Sequence, residues 1–308
     1  MPVGRERELM GSHILVTFWG VRGSIASPGL HTVVFGGNTS CVSVETQGHI
    51  VILDAGSGLR ELGQHLMKRN DLRSIDGSIF LSHMHWDHIQ GLPFFAPARS
   101  QENQFTIYGE RKYQQSLAQI LAGQMQAPYF PVDMHTVFRA QVTFHEVQAR
   151  RGVEVHPNLF VTPFRLTHPN GALGYLLQVE GRRIAYVTDH EHTIGQLSPE
   201  VREMVFGADL LIHDAQYGRE ELANGKRGWG HSAWEDVVEL AIVSRVGHLF
   251  LFHHDPEATD EILNERQFLA QEKFPRTTVA REGLKVPLLR QRGSREVPGY
   301  SAGLSEGV

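Results

Sequence analysis

Apolar residues follow two rhythms along the chain. Runs that alternate with period two, or stay apolar for only five to eight positions, occur at 13–19, 39–46, 49–53, 78–82 and 105–108. They recur at 142–147, 153–156, 159–166, 174–180, 183–188, 209–213 and 248–252. Such runs predict strands, because successive side chains point to opposite faces of a sheet. Short breaks at Gln47-Gly48 and Gly181-Arg182 join neighbouring strands as hairpins. Spacings of three and four predict helices at 59–69, at 111–126 (Leu117, Ile120, Leu121), at 233–244 (Val237, Leu240, Ala241) and at 260–274. Several strands come first, then strands and helices alternate. That order suits an α/β fold with two sheets packed between helices rather than a doubly wound parallel sheet. Neither a GxGxxG turn nor a P-loop is present.

The chain has 308 residues and no linker-like stretch in its middle. Residues 11–289 therefore read as one domain, between a mobile tail at 1–10 and a disordered, Arg/Gly/Ser-rich tail at 290–308. A formal net charge of −5 gives no general pull toward nucleic acid or anionic membranes. The single cysteine, Cys41, excludes a disulfide within the chain and fits a reducing compartment. Its place in the run Cys41-Val42-Ser43-Val44 reads as buried strand. No apolar run approaches the roughly 20 residues of a membrane span, and no apolar signal-peptide core follows the charged first ten residues. A cytoplasmic protein with no membrane partner is the expectation.

Histidine changes the picture: there are 18. Four ligand-type side chains fall within six residues at His83-Met84-His85-Trp86-Asp87-His88, directly after the apolar strand at 78–82. Imidazole and carboxylate together suit zinc and other first-row metals. His83 and His85 share one face of an extended segment, and a tight turn closed by Gly91 lets Asp87 and His88 face a second ion.

This segment resembles the HxHxDH hallmark of the metallo-β-lactamase superfamily, and the resemblance extends over roughly residues 14–288. It implies that superfamily's αββα sandwich, with two mixed sheets flanked by helices. It implies that Asp54 hydrogen-bonds a ligand histidine and fixes its tautomer. His168, in Leu166-Thr167-His168-Pro169, matches the third motif, and Asp189, in Thr188-Asp189, the carboxylate shared by both ions. The last motif falls on His253, with His254 as the alternative. The implied sets are His83, His85, His168 and Asp189 for one ion, and Asp87, His88, His253 and Asp189 for the other. The two ions, zinc with manganese or iron also accepted, would lie about 3.5–4 Å apart and share a nucleophilic hydroxide.

Two further segments narrow the resemblance. Leu211-Ile212-His213-Asp214-Ala215-Gln216 and Gly230-His231-Ser232-Ala233 are similar to segments of the ribonuclease Z branch, with Asp for Glu and Gln for Thr in the first. They imply His231 as general acid and Asp214 as its orienting partner; the alternative for this stretch is a helix start capped at Ser232. His213 is read as a strand residue without chemistry. Only 20 residues separate His168 from Asp189, and no arm-like Gly/Lys-rich insert is found, which argues against a tRNA substrate. Gly36 to Ser40 (GGNTS), Pro128 to Pro131 (PYFP) and His253 to Pro256 (HHDP) look like a phosphodiesterase subgroup of this branch. The resemblance therefore implies hydrolysis of a small or cyclic-nucleotide phosphodiester, with Asn38, Thr39 and Arg22 as candidate phosphate contacts and Tyr129 and Phe130 as candidate base-stacking residues. A lactone or thioester hydrolase on the same metals and a non-catalytic metal or nucleotide sensor are the alternatives. Relatives often dimerise, so a homodimer is open.

Overall fold

A computed structural model describes residues 13–46, 48–69, 73–193 and 196–289. The tails predicted at 1–10 and 290–308 lie outside the described residues. In chain order the main elements are β1 (His13–Gly20), β2 (Cys41–Thr46), β3 (His49–Leu53), α1 (Gly58–Met67), β4 (Asp76–Phe80), α2 (Trp86–Ile89), β5 (Gln104–Gly109), α3 (Leu117–Gly123) and β6 (Gln141–Glu146). There follow β7 (Val153–His156), β8 (Leu159–Leu166), β9 (Ala172–Val179), β10 (Arg182–Val187), α4 (Pro199–Val205), β11 (Leu210–Asp214), α5 (Trp234–Val243), β12 (His248–Phe252), α6 (Asp260–Lys273), β13 (Thr277–Val279) and β14 (Lys285–Leu289).

One sheet has the strand order β14-β1-β2-β3-β4-β5-β6, the other β13-β12-β11-β10-β9-β8-β7. Each is mixed in the same way. β14, β1, β2 and β3 pair antiparallel and β3 to β6 parallel; β7 to β10 pair antiparallel and β10 to β13 parallel. The predicted hairpins form, with Thr46 opposite His49 and Val179 opposite Arg182.

The unbroken apolar runs have a simple cause: central strands are covered on both faces. In β3, Val51 and Leu53 join Phe18, Phe80, Tyr186 and Phe252 between the sheets. The alternate residues Ile50 and Ile52 pack outward against Leu59, Leu62 and Leu66 of α1. On the far side, Leu211, Leu249 and Leu251 meet Val201 and Val205 of α4, Val237 and Leu240 of α5 and Leu263 of α6. The result is an αββα sandwich. Cys41 lies buried in β2 beneath α1, and burial, then Asp54, holds its thiol well above its usual pKa.

The helix predicted over 111–126 is shorter. It begins only after Ser116, whose side chain and Gln119 form a reciprocal capping box, while Tyr113 and Gln114 before it take left-handed φ of 48° and 62°. Four of these elements were not foreseen, among them the short α2 where a tight turn was expected. α4 carries clear start signals, a Ser198 cap with proline in its first turn. β13 has three residues, and β14, at a sheet edge, contains Pro287. No helix among the described residues is long and apolar enough to cross a membrane.

Candidate metal centre

The parallel strands end along one rim of the sandwich, and the chemistry-bearing residues follow those ends. Asp54 succeeds β3, the 83–88 segment succeeds β4, Asp189 succeeds β10, Asp214 closes β11 and His253 succeeds β12. His168 comes to the same rim from the end of β8. Asp54, Asp189 and His253 each adopt left-handed φ, of 59°, 49° and 58°. A non-glycine residue in that region stores on the order of 1–3 kcal/mol, a strain that recurs where a side chain must be aimed at a site.

Three groups of potential ligands form there, two of four residues and a smaller one of Asp214, His231 and His253. His83, His85, His168 and Asp189 offer donor atoms within 4.8 Å of one another, and so do Asp87, His88, Asp189 and His253. In the first group, His85 Nδ1 lies 2.8 Å from His83 Nε2 and 3.1 Å from His168 Nε2. Asp189 Oδ2 is 3.6 Å from each of those Nε2 atoms. In the second, His88 Nε2 lies 3.2 Å from His253 Nε2 and 3.1 Å from Asp87 Oδ2. Asp189 Oδ1 is 3.2 Å from His88 Nε2 and 3.1 Å from His253 Nε2. Asp189 therefore turns one oxygen to each group. His254 points elsewhere: its Nε2–H donates to the Ala280 carbonyl at 2.8 Å, on the other side of the chain from both groups.

The other ring nitrogens are held by hydrogen bonds that leave these imidazoles able to act as metal ligands. His88 Nδ1–H donates to Asp54 Oδ2 at 2.8 Å, and Asp54 also accepts from Ser82 Oγ and the Tyr186 hydroxyl, each at 2.8 Å. Since Ser82 Oγ donates to Asp54, it accepts from His83 Nδ1–H at 3.0 Å. His168 Nδ1–H donates to the Gly230 carbonyl and His253 Nδ1–H to Gln216 Oε1, both at 3.0 Å. Each of these four rings then directs Nε2 inward, the orientation that a divalent ion requires. Gly230 (φ 88°) is needed for this, because a Cβ there would run into the His168 ring.

Two segments named in the ribonuclease Z comparison meet beside these groups. His231 Nδ1–H donates to Asp214 Oδ2 at 3.0 Å. Asp214 is itself fixed by the backbone N–H groups of His190 (3.1 Å) and Gln216 (3.0 Å). Ser232 does not cap a helix; its hydroxyl donates to the His190 carbonyl, and Ala233 holds the cap position of α5. The His231 ring stacks on His253 with centroids 5.1 Å apart. Burial alone would depress the His231 pKa, but Asp214, then Asp189 and Asp87, outweigh it and raise it to about 9 in the metal-free chain.

A cavity of about 440 Å³ opens over the groups, lined by Ser24, Met84, His85, Trp86, Asp87, His168, Pro169, Asp189, Trp229 and His231. The candidate substrate residues are not among them. Arg22 is fully buried and donates to the carbonyls of Gly36, Asp255 and Ala258. Asn38 ties to Glu282 and Ser57, and Thr39 to Ser57 and Gln90. Tyr129 is exposed away from the cavity, and Phe130 packs edge-on to Phe94. Ser82, Tyr186 and Gln216, which orient the ligands, were missed, as were Trp86 and Trp229.

A family model of the beta-lactamase superfamily domain matches residues 49–254. The chain belongs to that family. A ribonuclease Z of Lactobacillus delbrueckii subsp. bulgaricus is 28% identical over 273 residues, covering 72% of this chain and 84% of the relative. Human tRNase Z, short form, superposes with a TM-score of 0.63 at 22% identity, over 88% of this chain and 98% of that one. A diphosphatase of the PhnP family gives 0.66 at 20% identity, over 91% and 100%. The chain is thus a metal-dependent hydrolase of the beta-lactamase superfamily, with a His/Asp site for two divalent ions.

The two ion positions differ in protonation. Burial keeps His83, His85 and His168 below their usual pKa, so the imidazoles of the first group are already neutral. For His88 burial acts the same way, but Asp87, Asp189 and Asp54 overcome it and hold its pKa well above the usual value. Binding an ion in the second group must displace that proton. Metal content after dialysis over a series of pH values is therefore expected to show affinity for one ion falling more steeply on acidification than affinity for the other. Parallel loss of both would contradict this assignment.

Proposed function

We propose that the chain is a phosphodiesterase acting on a small or nucleotide-type phosphodiester, cyclic nucleotides included, with zinc as the ion and manganese or iron able to replace it. The observation that carries this reading is the Asp214–His231 pair, hydrogen-bonded at 3.0 Å, whose His231 shares the cavity wall with His85, Asp87, His168 and Asp189 while Asp214 lies buried behind it. A pair of divalent ions, when bound, supplies Lewis acidity, an activated water and charge neutralisation for a phosphoryl group. The remaining task is to protonate the departing alkoxide, and His231 is built for it. Asp214 occupies its Nδ1–H, which leaves Nε2–H as the proton to donate, and the ionised carboxylate stabilises the imidazolium before transfer. Acyl and thioester hydrolysis leaves this pair unexplained.

The ribonuclease Z relatives raise an RNA substrate. The net charge of −5 works against gripping a long polyanion. The reading is tested by metal content together with hydrolysis of bis(p-nitrophenyl) phosphate, with and without added zinc or manganese. Two ions per chain and metal-dependent nitrophenol release are expected, after which cyclic nucleotides are compared with pre-tRNA. Two ions and hydrolysis of lactones or thioesters alone would overturn it; ligand binding with no turnover of any ester would make the chain a sensor.

A further inference from the structure

Resting on that reading, we propose that Trp86 and Trp229 are the specificity-determining residues of the cavity, and that they take a nucleobase, so that the substrate is a nucleotide ester rather than an alkyl phosphodiester. Both indoles line the cavity that holds the two ligand groups. Both are far more exposed than large aromatic side chains ordinarily are, at 76% and 55%. Each is built into the metal-centre loops. Trp86 stands between His85 and Asp87 as the first residue of α2. Trp229 stands two residues before His231, between Gly228 and Gly230, and the Glu191 carboxylate accepts from both flanking N–H groups at 2.8–3.0 Å. Glu191 is itself two residues beyond Asp189, and its N–H donates to the Thr167 carbonyl at 2.9 Å. The Tyr217 ring meets Trp229 edge-on with centroids 6.4 Å apart.

A phosphoryl group seated at the His/Asp groups must send its substituent out past these indoles. Apart from His231 and the Ser24 hydroxyl, the other non-ligand walls, Met84 and Pro169, are apolar, and no Arg, Lys or amide side chain lines the cavity. What such walls reward is a flat, polarisable ring, and stacking on tryptophan tolerates any base. The volume of about 440 Å³ falls within the range for a small-molecule site and suits one nucleotide rather than a folded RNA.

The test uses the metal-loaded protein with adenosine 5′-monophosphate and ribose 5-phosphate as probes. The chain has four tryptophans; Trp234 is buried and Trp19 half-buried, so quenching of the exposed indole emission reports on Trp86 and Trp229. We expect the monophosphate to quench that emission and to bind at least about tenfold more tightly than ribose 5-phosphate. Trp86→Ala and Trp229→Ala should each shrink that ratio toward one, by about tenfold for a full stack, and the Trp→Phe variants should recover part of it. Equal affinity for the two probes, or a ratio indifferent to both alanine variants, would overturn the stacking role while leaving the phosphoester reading intact. Metal-dependent binding of neither probe would overturn both.

Discussion

Asp87→Ala is expected to lose about one metal ion per chain and to abolish turnover. Asp189 is shared, so Asp87 is the one carboxylate that belongs to the second ligand group alone. Its Oδ2 lies 3.1 Å from His88 Nε2 and 3.2 Å from His253 Nε2, and it accepts from the Ser24 N–H at 2.8 Å. Burial would raise its pKa, but His88 and His253 reverse this and hold it well below the usual range, so it is a carboxylate at any working pH. Removing it leaves two imidazoles and half of Asp189 facing the second ion, and the transition state loses one of its two electrophiles. Loss of a single preorganised electrostatic contact costs about 10²–10³ in rate, and loss of an ion should exceed that. The variant should retain one tightly held ion, read by elemental analysis, and circular dichroism of the metal-free protein separates this loss from misfolding. Full metal content with retained activity would remove Asp87 from the centre.

How much of this was legible beforehand follows from how local each interaction is. His83, His85, Asp87 and His88 announce themselves because six consecutive residues at a strand end hold them. The apolar runs announced two sheets because β3 and β10 are covered on both faces and leave no polar alternation. Asp54 could be placed at a strand end, yet its four hydrogen bonds could not: Ser82 through both N–H and hydroxyl, His88 and Tyr186 reach it across 28, 34 and 132 residues of sequence. Tyr186 reads as one more apolar residue of β10 until the sheets pack. Gln216 stood in a segment already singled out, but its bond to His253 exists only because β11 and β12 are parallel neighbours. The same packing decides between adjacent residues. Left-handed φ at His253 accompanies a ring turned into the centre while His254 bonds Ala280, which agrees with the preference for His253 over His254 at the strand end. Tyr129 and Phe130 stood out in sequence, but neither lines the cavity, whereas Trp86, read only as a spacer in the metal motif, and Trp229 do.

The Asp214–His231 pair offers the sharpest division between metal chemistry and proton transfer. His231→Ala should keep both ions, because His231 stands outside both four-residue groups, although its ring stacks on His253. Its effect should depend on the leaving group. p-Nitrophenolate departs without a proton, so hydrolysis of bis(p-nitrophenyl) phosphate should fall only slightly. A nucleotide ester releases an alkoxide that must be protonated as the bond breaks, and there the variant should lose a factor on the order of 10²–10⁴ in kcat. The pH profile should change with it. The acid is active while protonated, so the wild-type rate for the alkoxide substrate should decline as pH rises through the His231 pKa, and that alkaline limb should vanish in the variant. Two bound dications repel the imidazolium, so the limb should lie below the value of about 9 set by Asp214 in the metal-free chain. Asp214→Asn should shift the limb further toward acid pH, since the ring loses its anionic partner but keeps a hydrogen bond. An undiminished rate with the alkoxide substrate, or an equal loss with both substrates, would take the general-acid role away from His231 and leave the phosphodiesterase resting on the metal centre alone.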